Sequence, residues 1–123
     1  MEPQLFSYQR PENDRAKNLT VLCKTEMLSA DMQLVREGGE NKLHSHTASD
    51  GFFMVLQGNV KFYGEGDVLV AELGPHEGAV MPRGFKYWFE SSGTETLQLL
   101  HVAAKDPRVD DVRVGPSRDQ PSA

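Results

Sequence analysis

Turn signals recur along this chain every several residues and leave no room for a long helix. Glu37-Gly38-Gly39-Glu40, Gly64-Glu65-Gly66-Asp67, Gly74-Pro75, Pro82-Arg83-Gly84 and Ser91-Ser92-Gly93-Thr94 are all breaks built on glycine or proline. Between them lie short apolar or alternating runs: Asn18 to Leu22, Met27 to Arg36, Val60 to Tyr63, Val68 to Leu73, Gly78 to Met81, Tyr87 to Glu90 and Leu97 to Ala104. No segment sustains a 3.6-residue period. Many short strands at this spacing predict an all-β sandwich or barrel.

Within that succession the stretch Leu43 to Gly58 carries the chemistry. His44 and His46 are alternate residues of an extended segment, so both rings leave the same face of a strand. A loop from Thr47 to Asp50 is expected next. Phe52 to Leu56 then reads as a buried strand bounded by Gly51 and Gly58. Two imidazoles beside an apolar wall describe a pocket with a candidate metal at its floor.

The 123 residues suit one domain, with a strand-bearing core at about 18–104, an N-terminal arm (1–17) and a C-terminal tail (105–123). Leu5 to Tyr8 is the only strand-like piece of the arm, and the charged tail has only Val109, Val112 and Val114 to bury. The tail is expected to be loosely ordered or draped over a neighbour. A formal charge of −5 argues against nucleic acid and against a polybasic membrane surface. The lone Cys23 sits in Thr20-Val21-Leu22-Cys23 and reads as a small core residue rather than a reactive thiol. The opening Met1-Glu2-Pro3-Gln4-Leu5 lacks the basic start and apolar run of a signal peptide, and no apolar segment approaches the roughly 18 residues a membrane helix needs. A soluble cytoplasmic protein is the expectation.

The spacing of these residues resembles the two motifs of the cupin family. Gly38, five residues, His44-Ser45-His46, four residues, Gly51, six residues, Gly58 is similar to the first motif, and Pro82-Arg83-Gly84, two residues, Tyr87 is similar to the second. The resemblance spans roughly residues 30 to 104. It implies a double-stranded β-helix, a jelly-roll barrel of the small single-domain, RmlC-like type, with its ligand pocket inside. It also implies a homodimer, and in many members one divalent metal on three histidines and a glutamate. This chain keeps two of those four positions, His44 and His46. Gly51 stands at the glutamate position, Tyr87 at the third histidine, His76-Glu77 at the usual Gly-Asp ahead of the proline, and Ser91 near the motif's end.

A metal on His44 and His46 therefore needs other donors, since protein sites usually supply three or more ligands. Asp50 is one candidate, against its simpler reading as a residue that starts a turn. Tyr87 is expected to point inward, as a ligand, a hydrogen-bond donor to substrate, or wall. His101, in Leu99-Leu100-His101-Val102, is a second candidate for moving protons, against its simpler reading as a satisfied core histidine. His76 and Glu77 read as surface residues at the rim. Aromatic lining is expected from among Phe53, Tyr63, Tyr87, Trp88 and Phe89.

Three functions follow. The first is a metal-dependent enzyme of dioxygenase, isomerase or lyase type acting on a small organic substrate, with Fe, Mn, Ni or Zn on His44, His46 and Asp50 and with Tyr87 or His101 moving a proton. The second is a metal-free isomerase or cyclase that uses His and Tyr as its acid–base pair. The third is a non-catalytic small-molecule-binding module.

Overall fold

The computed structural model describes residues 2–115. Its strands largely follow the segments between the breaks, with β3 and β8 running into two of them: β1 (Lys17–Lys24), β2 (Leu28–Val35), β3 (Gly39–His46), β4 (Ser49–Gln57), β5 (Asn59–Tyr63), β6 (Leu69–Leu73), β7 (Gly78–Met81), β8 (Tyr87–Ser92), β9 (Leu97–Lys105) and β10 (Arg113–Val114), with a short 3-10 turn at Glu65–Asp67. They form two five-stranded antiparallel sheets, ordered β1-β2-β9-β4-β7 and β10-β3-β8-β5-β6. This is the jelly-roll connectivity of a double-stranded β-helix. Among the described residues no ladder joins one sheet to the other, so the barrel is a flattened, open-sided one.

Strand alternation decides what lies between the sheets. Val35, Phe53, Val55, Val60, Phe62, Phe89, Leu97 and Leu99 all face inward and are at most 2 % exposed. Phe53 is the hub, with ring centroids 5.1 Å from Phe62 and 5.9 Å from Phe89. Truncating such a ring to alanine costs about 3–5 kcal/mol, the lost transfer energy plus the cavity left behind. This packing fills one end of the interior and leaves the other end open as a pocket. Gly39 is needed where β3 passes β8, because a β-carbon there would collide with the Phe89 carbonyl oxygen.

Two expectations about β4 change. Phe52 to Leu56 is half-buried, not buried: Phe53 and Val55 point in, while Phe52 and Leu56 are 41 % and 43 % exposed. One face of an antiparallel strand meets solvent here, so branched and aromatic residues alone do not mark a two-sided core. The loop expected at Thr47 to Asp50 is shorter, because β4 begins at Ser49 and Asp50 is already a strand residue.

The termini differ as well. The arm makes no strand at Leu5 to Tyr8. It runs along its own barrel instead, with Gln4 exchanging hydrogen bonds with the Lys24 backbone at 2.7 and 3.0 Å. Arg36 donates to the carbonyls of Pro11 and Arg15 at 3.0 and 2.9 Å. The first part of the tail, 106–115, is a strap across the β3–β4 turn that ends in β10, paired with His46 and Ser45. The expectation for 116–123 lies outside the described residues. No helix among the described residues is long and apolar enough to cross a membrane.

Candidate functional site

The packed end of the sandwich stops at Phe53, Tyr87 and Met81, and beyond them lies a cavity of about 180 Å3. Asp31, His46, Gly51, Tyr87, His101 and Asp111 line it. That volume is below the roughly 300 Å3 at which drug-sized pockets begin, so the cavity suits a small ligand.

β3 delivers the histidine pair. His44 and His46 share the inward face as alternation requires, with ring centroids 5.4 Å apart and nearly perpendicular. His44 is only 2 % exposed and packs on Tyr87 at 4.5 Å. Its Nδ1 lies 3.0 Å from the Lys42 carbonyl, an oxygen that only accepts, so Nδ1 carries the hydrogen and Nε2 the lone pair. Burial pushes the imidazole down to about 4, which keeps it neutral at ordinary pH. His46 stands nearer the opening, its Nδ1 3.9 Å from Asp111 Oδ2.

The opposite sheet contributes a third imidazole. His101 on β9 stacks on Phe53 at 4.6 Å and 21°. Its Nδ1 is 3.1 Å from Asp31 Oδ2, across the β2–β9 register in which the two residues are direct partners. A carboxylate oxygen accepts, so Nδ1 is the donor, and in the neutral ring Nε2 keeps the lone pair. That nitrogen lies 3.5 Å from where a β-carbon on Gly51 would stand. The imidazole thus occupies the space above the glycine.

These positions test the metal expectation. Asp50 does not join His44 and His46: alternation turns it outward, and its Oδ1 accepts the Arg83 backbone N–H at 2.9 Å. Gly51 brings no donor atom, and Tyr87 brings a phenol whose ordinary pKa near 10 makes it a poor ligand. Among the described residues no three His, Cys, Asp or Glu side chains come together where an ion would sit. The residues present do not fit the four-ligand centre that the family resemblance implies.

Other expectations sort by strand face. Tyr87 and His101 do reach the same cavity. His76 and Glu77 form the exposed Gly74–Glu77 turn, where Glu77 Oε1 accepts the Gly74 N–H at 2.8 Å. Tyr63 and Trp88 stack on each other at 4.2 Å, on the face opposite Phe62, Tyr87 and Phe89, and do not line the cavity. The sequence does not single out Asp31 or Asp111. Asp31 carries a faint signal, a carboxylate inside an otherwise β-prone strand, where such residues are depleted. Asp111 carries none, since it reaches the site only because the strap folds back: its carboxylate accepts the Ala48 N–H at 3.0 Å and the Ser49 hydroxyl at 2.9 Å.

Known proteins agree with this architecture. A double-stranded β-helix protein of uncharacterized function from Klebsiella pneumoniae superposes with a TM-score of 0.72 at 20% identity, covering 92% of this chain and 98% of its own. An RmlC-like cupin from Methanocaldococcus jannaschii gives 0.70 at 16% identity, over 88% of this chain and 95% of that one. KdgF from a Halomonas species gives 0.67 at 16%, over 85% and 96%. At these identities the likeness speaks for the fold. None of the curated proteins matches the sequence. The family model for the cupin domain matches residues 31–103, the segment that runs from Asp31 through both histidine strands to Ala103, and the chain belongs to the cupin family.

Proposed function

We propose that this cupin is an enzyme that binds a small organic molecule in the cavity and moves protons on it, in an isomerase- or lyase-type reaction. The observation that carries the reading is the 3.1 Å contact between Asp31 Oδ2 and His101 Nδ1, with Nε2 directed to the space above Gly51. A carboxylate that holds one ring nitrogen as the donor leaves the other as a base and stabilises the imidazolium that forms when a proton arrives. His101 Nε2 takes the proton from the substrate. The Tyr87 phenol, in the same cavity, supplies a proton to the anion left behind. Phe53 packs against both rings, at 4.6 Å from His101 and 5.9 Å from Tyr87, and gives them a shared apolar support.

Deuterium exchange tests the reading without a named substrate. The protein is incubated with a metabolite extract in D2O, and mass spectrometry reads which compounds gain deuterium at carbon. At least one small metabolite is expected to exchange, and His101→Gln is expected to slow that exchange by roughly 10²–10⁴-fold with the fold unchanged by circular dichroism. Exchange that is undiminished in His101→Gln, or no exchange at all, defeats the reading.

A further inference from the structure

One cation at the cavity has no ion-pair partner among the described residues. Asp31 presents Oδ2 to His101 at 3.1 Å and Oδ1 to the Gln33 amide at 3.4 Å. Asp111 has both oxygens taken, by the Ala48 N–H and the Ser49 hydroxyl. Of the nearby cations, Arg83 faces Asp106 at 3.7 Å and Arg113 faces Glu40 at 2.9 Å. Lys105 is different. It closes β9 on the inward face shared with His101 and Ala103, stands across from Ser49 in the β4–β9 ladder, and lines the cavity. Among the described residues no carboxylate lies within ion-pair distance of its ammonium.

A ligand that fills the cavity strips water from whatever lines it. A neutral ligand leaves the Lys105 ammonium desolvated and without a counter-charge, which is costly. A ligand that brings a carboxylate converts that cost into a charge-assisted hydrogen bond. We propose that the cavity selects a small organic acid and that Lys105 holds its carboxylate, with the rest of the molecule extending toward His101; this inference rests on the acid–base reading above. Asp31 and Asp111 keep their negative charges while they accept hydrogen bonds from the protein, so the Lys105 contact has to outweigh their repulsion, and the Lys105→Met comparison reads that balance.

Ligand-observed NMR decides the matter. The panel is a set of short hydroxy- and oxo-acids, with lactate, malate, pyruvate and gluconate among them, each measured beside its primary amide, which keeps the shape and removes the charge. At least one acid is expected to bind about tenfold or more tightly than its amide. Lys105→Met is expected to erase that preference and Lys105→Arg to retain part of it, with circular dichroism confirming the fold of each. Acids that bind no better than amides, a preference that survives Lys105→Met, or no binding by any panel member at tens of millimolar overturns the inference. The two ideas fail separately. Acid binding through Lys105 without deuterium exchange keeps this inference and defeats the catalytic reading. Exchange that depends on His101 while Lys105→Met binds acids normally does the reverse.

Discussion

Nε2 of His101 lies 3.5 Å from the point that a β-carbon on Gly51 would occupy, and Phe53 Cε2 lies 3.3 Å from the same point. The two residues belong to neighbouring strands, Gly51 opposite Ala103 and Phe53 opposite His101 in the β4–β9 ladder. Gly51 is therefore the opening through which a ring from the next strand reaches the cavity, and the position where the resemblance implies a glutamate ligand is filled by imidazole.

Gly51→Glu is accordingly expected to break the site rather than restore a metal centre. The new side chain needs the volume that His101 and Phe53 hold, and overpacking of this kind costs about 1–3 kcal/mol. The β-carbon itself is tight against Phe53 and in ordinary contact with His101, and the carboxylate beyond it enters the space that the His101 ring faces, which draws the ring away from Asp31. Deuterium exchange is expected to fall by roughly 10²-fold or more. Denaturant unfolding and the exchange assay check both parts; full activity in this variant sinks the assignment of His101 as the base.

Asp31→Asn separates orientation from packing. The amide keeps the shape of the carboxylate, but it no longer compensates a charged imidazole, so His101 is a weaker base in the variant. The expected result is a kcat lowered by roughly 10²-fold with KM little changed and a shifted pH–rate profile. A fall in stability with no change in the pH profile would assign Asp31 a structural role only.

Burial of His44 predicts a pH dependence of stability with a definite sign. Its folded-state pKa of about 4 lies below the ordinary 6.5, so as pH falls the unfolded chain takes the proton first. The full contribution is present above about pH 6.5 and is lost as pH drops toward 4. The slope in that window is at most about 1.4 kcal/mol per pH unit. Thermal melts between those limits are expected to show a smaller decline in His44→Gln than in the parent. Equal declines would place the acid sensitivity elsewhere.

The fold and half of the site were legible in the sequence because their signals are local. Glycine and proline breaks mark most of the strand ends, though not the β1–β2 turn at Thr25–Met27 or the β3–β4 turn at Thr47–Ala48, and alternation alone puts His44 and His46 on one face. Asp50 was misplaced for the same reason: a short β3–β4 turn starts the strand earlier, and one residue of register reverses a side chain's direction. The Asp31–His101 pair is separated by seventy residues and meets only through the β2–β9 ladder. Asp111 arrives by a strap whose backbone bonds, such as Thr47 N–H to the Val112 carbonyl at 3.1 Å, have no sequence signature. Contacts made by topology were out of reach of a reading built on neighbours in the chain.

The strap itself gives the last prediction. Arg113 and Glu40 form a 2.9 Å ion pair in which the side chains are only 17% and 9% exposed. Arg113 sits opposite His46 in the β10–β3 pairing, so the pair pins the strap beside the cavity wall that Asp111 completes. Arg113→Met removes the cation and leaves the Glu40 carboxylate without it in a nearly dry position, which is expected to cost about 3 kcal/mol. The double variant Arg113→Met, Glu40→Gln removes both charges and is expected to recover part of that loss, because the expense lies more in burying the Glu40 charge without its Arg113 cation than in the missing attraction. Hydrogen exchange at Thr47 and Ala48, whose N–H groups are held by Val112 and Asp111, reports whether the strap lifts. Faster exchange at these two amides in Arg113→Met, with the sheet amides unchanged, is the expected result; unchanged protection at both would show that the strap is held without the ion pair.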